Sequence, residues 1–444
     1  MALNVIVYRL TKPVIVGERD AKPDVSRRFS YVAVAGKSVP IAVRILFLLF
    51  VFTLPFEEVD LGFMTGSVSI AKLAGFLFFG CYFFYHNPLF QKRSFPQIPH
   101  ALWWFAGYFV IWVVELLLVP EEFRGMMISL LFTLAQLLVF FWIASDLLKD
   151  GNMARRVLLV YAIASALLAV AMILGLPGFS EDIGQGRATA FGENANAAGQ
   201  HLALCLLIIV GLILNKTFKH FINKVLLILL SVPLVIGLVS TGSRGAVVAL
   251  VIGCLAYLIP YWRSRRKLIS IVFAVLVLAS VTYMIVNNPD FSERWSETYY
   301  EGDLTGRDII YAAAGEMISE RPLFGWNPVE AFYELGRRVA WPRGARDAHN
   351  TFLTVALGVG LLGATPFLMG LWTCIRAAWK ARSGNLGLLP LVLVVTVFAA
   401  GMSSTLLIWK PFWLVLALTL AATSLSGAPE KIIARMTGRA VENK

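Results

Sequence analysis

Apolar residues along this chain gather in long unbroken blocks, with polar residues between the blocks rather than alternating inside them. Blocks of roughly 20 apolar residues bounded by charge or proline predict membrane-spanning helices. Twelve are legible, near residues 41–54, 68–86, 101–119, 125–147, 154–174, 195–215, 224–240, 244–260, 268–286, 350–374, 386–404 and 408–424. A membrane β-barrel would instead need short alternating segments. The pattern predicts an all-α polytopic membrane protein with about 12 spans. Tails cover 1–40 and 425–444, spans occupy 41–286 and 350–424, and a loop domain fills 287–349.

That loop is the one long break in the pattern. Thr305-Gly306-Arg307-Asp308 has the spacing of a capping box and predicts a helix start. Ile310, Ala314, Met317 and Ile318 fall on one face of the helix, and Pro322 ends it. The expectation is an amphipathic helix lying on the membrane part, among Trp295, Trp326, Trp341, Tyr299, Tyr300 and Tyr333.

Composition agrees with the pattern. Hydrophobic residues make up 58% and charged residues 15% of 444, and mean hydropathy is +0.73. A soluble domain carries about 25% charged residues, so a soluble enzyme and a disordered chain are both excluded.

The net charge of +12 suggests nucleic acid until it is mapped onto the spans. Of the 39 Lys and Arg, 27 fall in the tails and on the tail side, 11 on the opposite side, and Lys72 lies within a span. The bias predicts cytoplasmic termini, an outward-facing 287–349 segment and contact with membrane lipids, with no nucleic-acid partner. Residues 1–40 lack a long apolar core and do not read as a cleavable signal peptide. Cys81, Cys205, Cys254 and Cys374 all fall within spans and predict free buried thiols.

Basic residues on the outer side run against the charge bias and need a reason. Arg187 lies in Gly186-Arg187-Ala188-Thr189-Ala190-Phe191-Gly192-Glu193-Asn194-Ala195-Asn196, where small and amide residues lead into a span. Backbone N–H groups at that helix start could hold an anion; a snorkelling arginine is the structural alternative. Arg244 lies in the tight turn Ser240-Thr241-Gly242-Ser243-Arg244-Gly245. A charge at that depth costs up to ~3 kcal/mol, which an anionic ligand or a structural ion pair would offset.

His349, at the junction Asp347-Ala348-His349-Asn350-Thr351, is the one histidine in the outer loops. It is either a proton acceptor near neutral pH or a helix-entry residue. His201 reads as a packed intramembrane residue. Arg337, Arg338, Arg343 and Arg346 cluster just ahead of His349, near Trp341 and Tyr333, which suits a phosphorylated or sugar ligand or anionic headgroups. Arg307 and Arg321 flank the amphipathic helix. No Asp-x-Asp pair, Walker A, His-Glu-x-x-His or Gly-x-Ser-x-Gly occurs. No metal and no cofactor is expected.

The Gly-Arg-Ala-Thr-Ala-Phe-Gly-Glu-Asn-Ala-Asn loop, the Ser-Thr-Gly-Ser-Arg-Gly turn, Thr-Gly-Arg-Asp followed by Arg-Pro-Leu-Phe-Gly-Trp, and His-Asn-Thr-Phe-Leu with Gly358, Gly360 and Gly363 after it form an ordered set over roughly 180–365. The set resembles the O-antigen ligase/polymerase superfamily; Ala195 and Ala197 depart modestly from it. The resemblance implies an inner-membrane enzyme with a periplasmic active site. It would move a glycan from an undecaprenyl-diphosphate carrier to lipid A–core oligosaccharide, without metal and with inversion. It implies that Arg187 and Arg244 clamp the diphosphate and that His349 is the base or a diphosphate ligand. Arg307, Arg343, Arg346, Asn194, Asn196, Trp326 and Trp341 would contact donor or glycan. Polymerase and O-linked oligosaccharyltransferase activities of the same superfamily stay open. So do two other classes: a polyprenyl-lipid flippase and a structural membrane scaffold.

Overall fold

A computed structural model describes residues 39–57, 69–86, 95–176, 187–189, 194–214, 221–258, 266–296, 300, 306–342 and 344–426. The chain divides into a unit of residues 1–40 and a unit of residues 41–444, and all that follows concerns the second. The tails expected at 1–40 and 425–444 fall almost wholly outside the described residues.

Every longer element among the described residues is a helix. These are α1 (Ile41–Thr53), α2 (Ile70–His86), α3 (His100–Leu118), α4 (Glu121–Leu147), α5 (Gly151–Ile173), α6 (Ala195–Leu214), α7 (Phe221–Ser240), α8 (Arg244–Leu258) and α9 (Arg266–Val286). They continue with α10 (Pro289–Ser296), α11 (Arg307–Glu320), α12 (Glu330–Arg338), α13 (Thr351–Ala381), α14 (Leu389–Gly401) and α15 (Lys410–Ser426). Each apolar block of the sequence coincides with a helix. Six of them (α3 to α7 and α13) are long and apolar enough to cross a membrane, and six shorter apolar helices accompany them. The protein is a helical membrane protein.

The helices lie in a bundle with α6 at its centre, packed on α5, α7, α8 and α14. α13 runs along α3, α14 pairs with α8, and α15 with α4 and α13. Phe105, Phe141, Phe367 and Trp413 interlock in the core, with Phe105 and Trp413 centroids 5.1 Å apart, edge to face. The outward residues are apolar as well; Leu117 is 77% and Leu118 71% exposed. A surface of that kind is made for lipid, so tight packing rather than water expulsion holds the helices together.

Two features position the site. The first is a break in α13. Gly360 takes φ 58°, a conformation open mainly to glycine. The Pro322–Trp326 backbone fills the break: Trp326 N donates to Leu357 O (2.7 Å), Leu361 N to Pro322 O (2.9 Å) and Leu362 N to Leu323 O (3.1 Å). The Arg-Pro-Leu-Phe-Gly-Trp segment and the glycine-rich span are two halves of one joint.

The second is a small core of Ile310, Ala314, Met317, Ala331, Leu335, Ala348 and Leu357, with Ile318 packed against it, which seats α11 and α12 on α13. α11 is therefore amphipathic as its spacing predicts. Its capping differs from expectation. The N-cap is Gly306, in the left-handed region and without a side-chain bond, and Thr305 lies outside the described residues.

Candidate active site

Three helix N-termini come together around the loop that joins α14 to α15. α6 is opened by Asn194, whose Oδ1 accepts from Asn196 N (2.9 Å). α8 is opened by Ser243, whose Oγ accepts from Ala246 N (3.3 Å), which puts Arg244 at the first helical position. α13 is opened by Asn350, whose Oδ1 accepts from Phe352 N (3.0 Å) and Leu353 N (3.2 Å). Each N-terminus presents partial positive charge, and side-chain caps stop the helices at the same polar seam.

Arg187 ties the first two together. Its Nε donates to Thr241 O and its Nη2 to Asn196 Oδ1, both at 2.9 Å. Ser243 Oγ donates to the same Asn196 oxygen at 3.0 Å. Arg187, Asn194, Asn196 and the turn before Arg244 thus form one network, and both arginines are half-buried.

Residues 403–405 join this network to the third N-terminus. A Cβ on Gly245 would sit 2.3 Å from Ser403 Oγ, so only glycine lets α8 approach the loop this closely. Gln200, one turn along α6 from Asn196, donates to Ser404 Oγ (2.7 Å). Thr351 Oγ1 donates to Ser404 O (2.8 Å). Thr405 Oγ1 donates to Asp347 Oδ1 (2.7 Å), and Asp347 Oδ2 lies 3.4 Å from His349 Nδ1. Met402 O accepts from Asn350 and Tyr311, each at 3.2 Å.

His349 is no helix cap, since Asn350 fills that role. It carries φ 49°, a strained backbone for a non-glycine residue. Burial holds its imidazole below the usual value; Asp347 pulls it up, and Arg346 and Arg307 push it down. The ring is therefore neutral at pH 7. With Asp347 beside Nδ1, that nitrogen carries the proton and Nε2 presents a lone pair. Arg346 is itself partly desolvated, its Nε buried without a hydrogen-bond partner. Its guanidinium stacks 3.8 Å over Trp341. Arg307, Arg346 and Trp341 therefore belong to the surroundings of His349.

The other basic residues of the cluster do different work. Arg338 pairs with Glu320 (2.6 Å), which fastens α12 to α11, and Arg337 and Arg338 each pair with Glu334 (2.7 Å) within α12. Trp326 sits apart from His349. Arg321 stacks on its ring at 3.8 Å, and its Nε1 donates to Met317 O at 2.8 Å. It borders a separate cavity of about 430 Å³ with Glu115 and Glu330. Arg343 lies outside the described residues. His201 is a packed residue: Trp409 Nε1 donates to its Nε2 (3.2 Å), which leaves Nδ1–H for Tyr161 OH (2.7 Å). All four cysteines are free thiols.

Residues 226–368 match the family described as O-Antigen ligase. Over that third of the chain the protein is similar to O-antigen ligases. The matched stretch runs from α7 into α13, so it contains Arg244, Arg307, Arg346, His349 and both halves of the Gly360 joint. Arg187, Asn194 and Asn196 precede it, yet they are bonded directly to its Thr241 and Ser243. The match thus covers one part of the polar seam, and Gln200 and residues 403–405 also lie outside it. No curated protein matches the chain. Asp347 and residues 403–405 carry no role in the sequence reading; the run Ser403, Ser404, Thr405 where the 386–404 block ends is their only signal.

Proposed function

We propose that the protein transfers a glycan from undecaprenyl diphosphate to lipid A–core oligosaccharide, without metal and with inversion, at the periplasmic face of a bacterial inner membrane. The tails 1–40 and 425–444 are then cytoplasmic, twelve helices span, and 287–349 forms the outer domain. The observation that carries this reading is the bridge through residues 403–405, from the Arg187–Arg244 network to the Asp347–His349 pair.

A diphosphate at this seam meets the guanidinium of Arg244 and the α6 and α8 N-termini, with Arg307 and Arg346 on the His349 side. Asn194, Asn196, Trp341 and Arg343 complete the donor and glycan contacts, and Trp326 is a glycan contact at the edge. The acceptor hydroxyl oxygen attacks the anomeric carbon from the face opposite the diphosphate. Its proton passes to His349 Nε2, the carbon–oxygen bond to phosphorus breaks, and the lipid diphosphate leaves with the bonding pair. Negative charge grows on the leaving group, and fixed cations lower that barrier.

The test uses purified protein in detergent with EDTA, polyprenyl-diphosphate glycan and rough lipopolysaccharide. A gel shift of the acceptor is expected with wild type and is lost in Arg187→Ala, Arg244→Ala and His349→Ala. Product that persists in His349→Ala removes the base assignment. Elongation of the lipid-linked glycan in place of acceptor modification identifies a polymerase. No covalent product of any kind leaves a lipid carrier protein.

A further inference from the structure

Ser404 stands where the three helix N-termini meet. Its neighbour Ser403 packs against Gly245 in the first turn of α8. Thr351, at the start of α13, donates to Ser404 O (2.8 Å), and Gln200 of α6 donates to Ser404 Oγ (2.7 Å). The side chain is half-buried, so a ligand can reach it. A hydroxyl has one proton to donate and two positions that accept. Here the oxygen accepts from the amide, and among the described residues its own proton has no acceptor. The helix N-termini around it cannot supply one, because they present N–H groups. The Asp347 carboxylate is already engaged by Thr405 and His349. In such donor-rich surroundings an O–H is matched by an incoming oxyanion.

Gln200 holds its bond to Ser404 against a penalty. The residue is 2% exposed, and its Oε1 is buried with no hydrogen-bond partner. A buried amide oxygen left unmatched is destabilising, and an apolar side chain would avoid it. What the amide provides in return is a fixed Ser404 hydroxyl. An oxygen that accepts from an N–H also donates its own proton more strongly. We propose that Ser404 is a further catalytic residue: its hydroxyl donates to an oxygen of the leaving diphosphate, and Gln200 is the positioning residue behind it. Ser404 keeps its proton throughout, so it stabilises the charge that grows on the leaving group without taking part in proton transfer. That the diphosphate leaves rests on the proposed function; the contact with a diphosphate does not.

The experiment titrates the full chain in detergent with farnesyl diphosphate, a short prenyl diphosphate, and reads binding by calorimetry. Wild type binds it. Ser404→Ala weakens binding about tenfold or more, the scale of one lost hydrogen bond to a charged group. Ser404→Thr keeps the hydroxyl and binds as wild type does. Gln200→Leu weakens binding less, and it adds nothing when combined with Ser404→Ala, as expected of a residue that acts through Ser404. As a second measurement, farnesyl diphosphate shields the thiol of Ser404→Cys from a thiosulfonate reagent, with wild type as the blank for the native cysteines. No binding by wild type, undiminished binding by Ser404→Ala, a loss in Ser404→Thr as deep as in Ser404→Ala, or an unshielded thiol would each overturn the proposal. Additive losses in the double variant would overturn the role of Gln200. Binding that Ser404→Ala weakens, with no glycan transfer by wild type, would defeat the transfer reading alone.

Discussion

Thr405 donates a 2.7 Å hydrogen bond to Asp347, the residue whose other carboxylate oxygen lies 3.4 Å from His349. Thr354 Oγ1 adds a 3.1 Å contact to Thr405. The carboxylate is thereby aimed at Nδ1 by residues from two different helices' ends. An oriented imidazole keeps Nε2 as the acceptor, and an unoriented one spends time in the wrong tautomer. Asp347→Asn is expected to lower the turnover of glycan transfer by at least about tenfold. Thr405→Val should lower it less. Unchanged turnover in Asp347→Asn would show that the carboxylate is only structural.

The pH profile follows from the charges around His349. Burial, Arg346 and Arg307 together outweigh Asp347, so the pKa of the free protein lies below the ordinary histidine value of about 6.5. The acid limb of kcat/KM, which reports the free enzyme, is expected below that value. A bound diphosphate offsets Arg346 and Arg307 and makes the ring more basic. The acid limb of kcat should therefore lie at higher pH than that of kcat/KM. In Asp347→Asn the upward pull is gone, and the kcat/KM limb moves to lower pH. Coincident limbs in kcat and kcat/KM would mean that the diphosphate does not bind beside His349.

Glu334 shows how much of the 287–349 segment is legible in sequence. The run Arg337, Arg338, Arg343, Arg346 looks like one basic patch in sequence. The structure splits it, since Glu334 stands three and four residues before Arg337 and Arg338, the spacing of a helical ion pair. Hydrogen bonds from Arg337, against the effect of burial, and from Arg338 hold its carboxyl at about 2. A depressed carboxyl contributes stability above its unfolded value of about 4, and loses it as pH falls toward 2. Amide exchange in α12 should accelerate across that window. In Glu334→Gln the acceleration should vanish and exchange be fast throughout.

The apolar blocks made the helices legible because helix burial in lipid is a local property of composition. The seam was legible only in part. Arg187, Arg244 and His349 stood out as charges in costly places. Ser403, Ser404 and Thr405 did not, because their partners Gln200, Thr351 and Asp347 lie up to 204 residues away. Thr305 shows the opposite failure: the spacing of a capping box is present, but α11 begins after Gly306.

Arg187 holds Thr241 O and Asn196 Oδ1 from two edges of one planar group. A lysine ammonium on a flexible stem cannot reproduce that geometry. Arg187→Lys is expected to lose donor binding despite keeping its charge, raising KM for the lipid-linked glycan about tenfold or more. Asn196→Ala should share the defect, since it removes the acceptor used by both Arg187 and Ser243. Full activity in Arg187→Lys would reduce the residue to a simple positive charge.

Two glycines with opposite surroundings test the joint in α13. A Cβ on Gly360 would sit 2.4 Å from the Leu323 backbone, at a backbone angle of φ 58°. Nothing there can give way, because Leu323 is itself bonded to Leu362 N. Gly360→Ala should cost about 3 kcal/mol or more, from strain and overlap together. Gly315 lies inside α11 with open space around its Cβ position. Gly315→Ala should stabilise by about 0.5–1 kcal/mol through helix propensity. Thermal unfolding in detergent separates them: the midpoint falls for the first and holds or rises for the second. Amide exchange at Trp326 should speed up only in Gly360→Ala, because its N–H bonds to Leu357 across the break. Like-signed shifts in both variants would mean that the 322–326 segment does not depend on the break in α13.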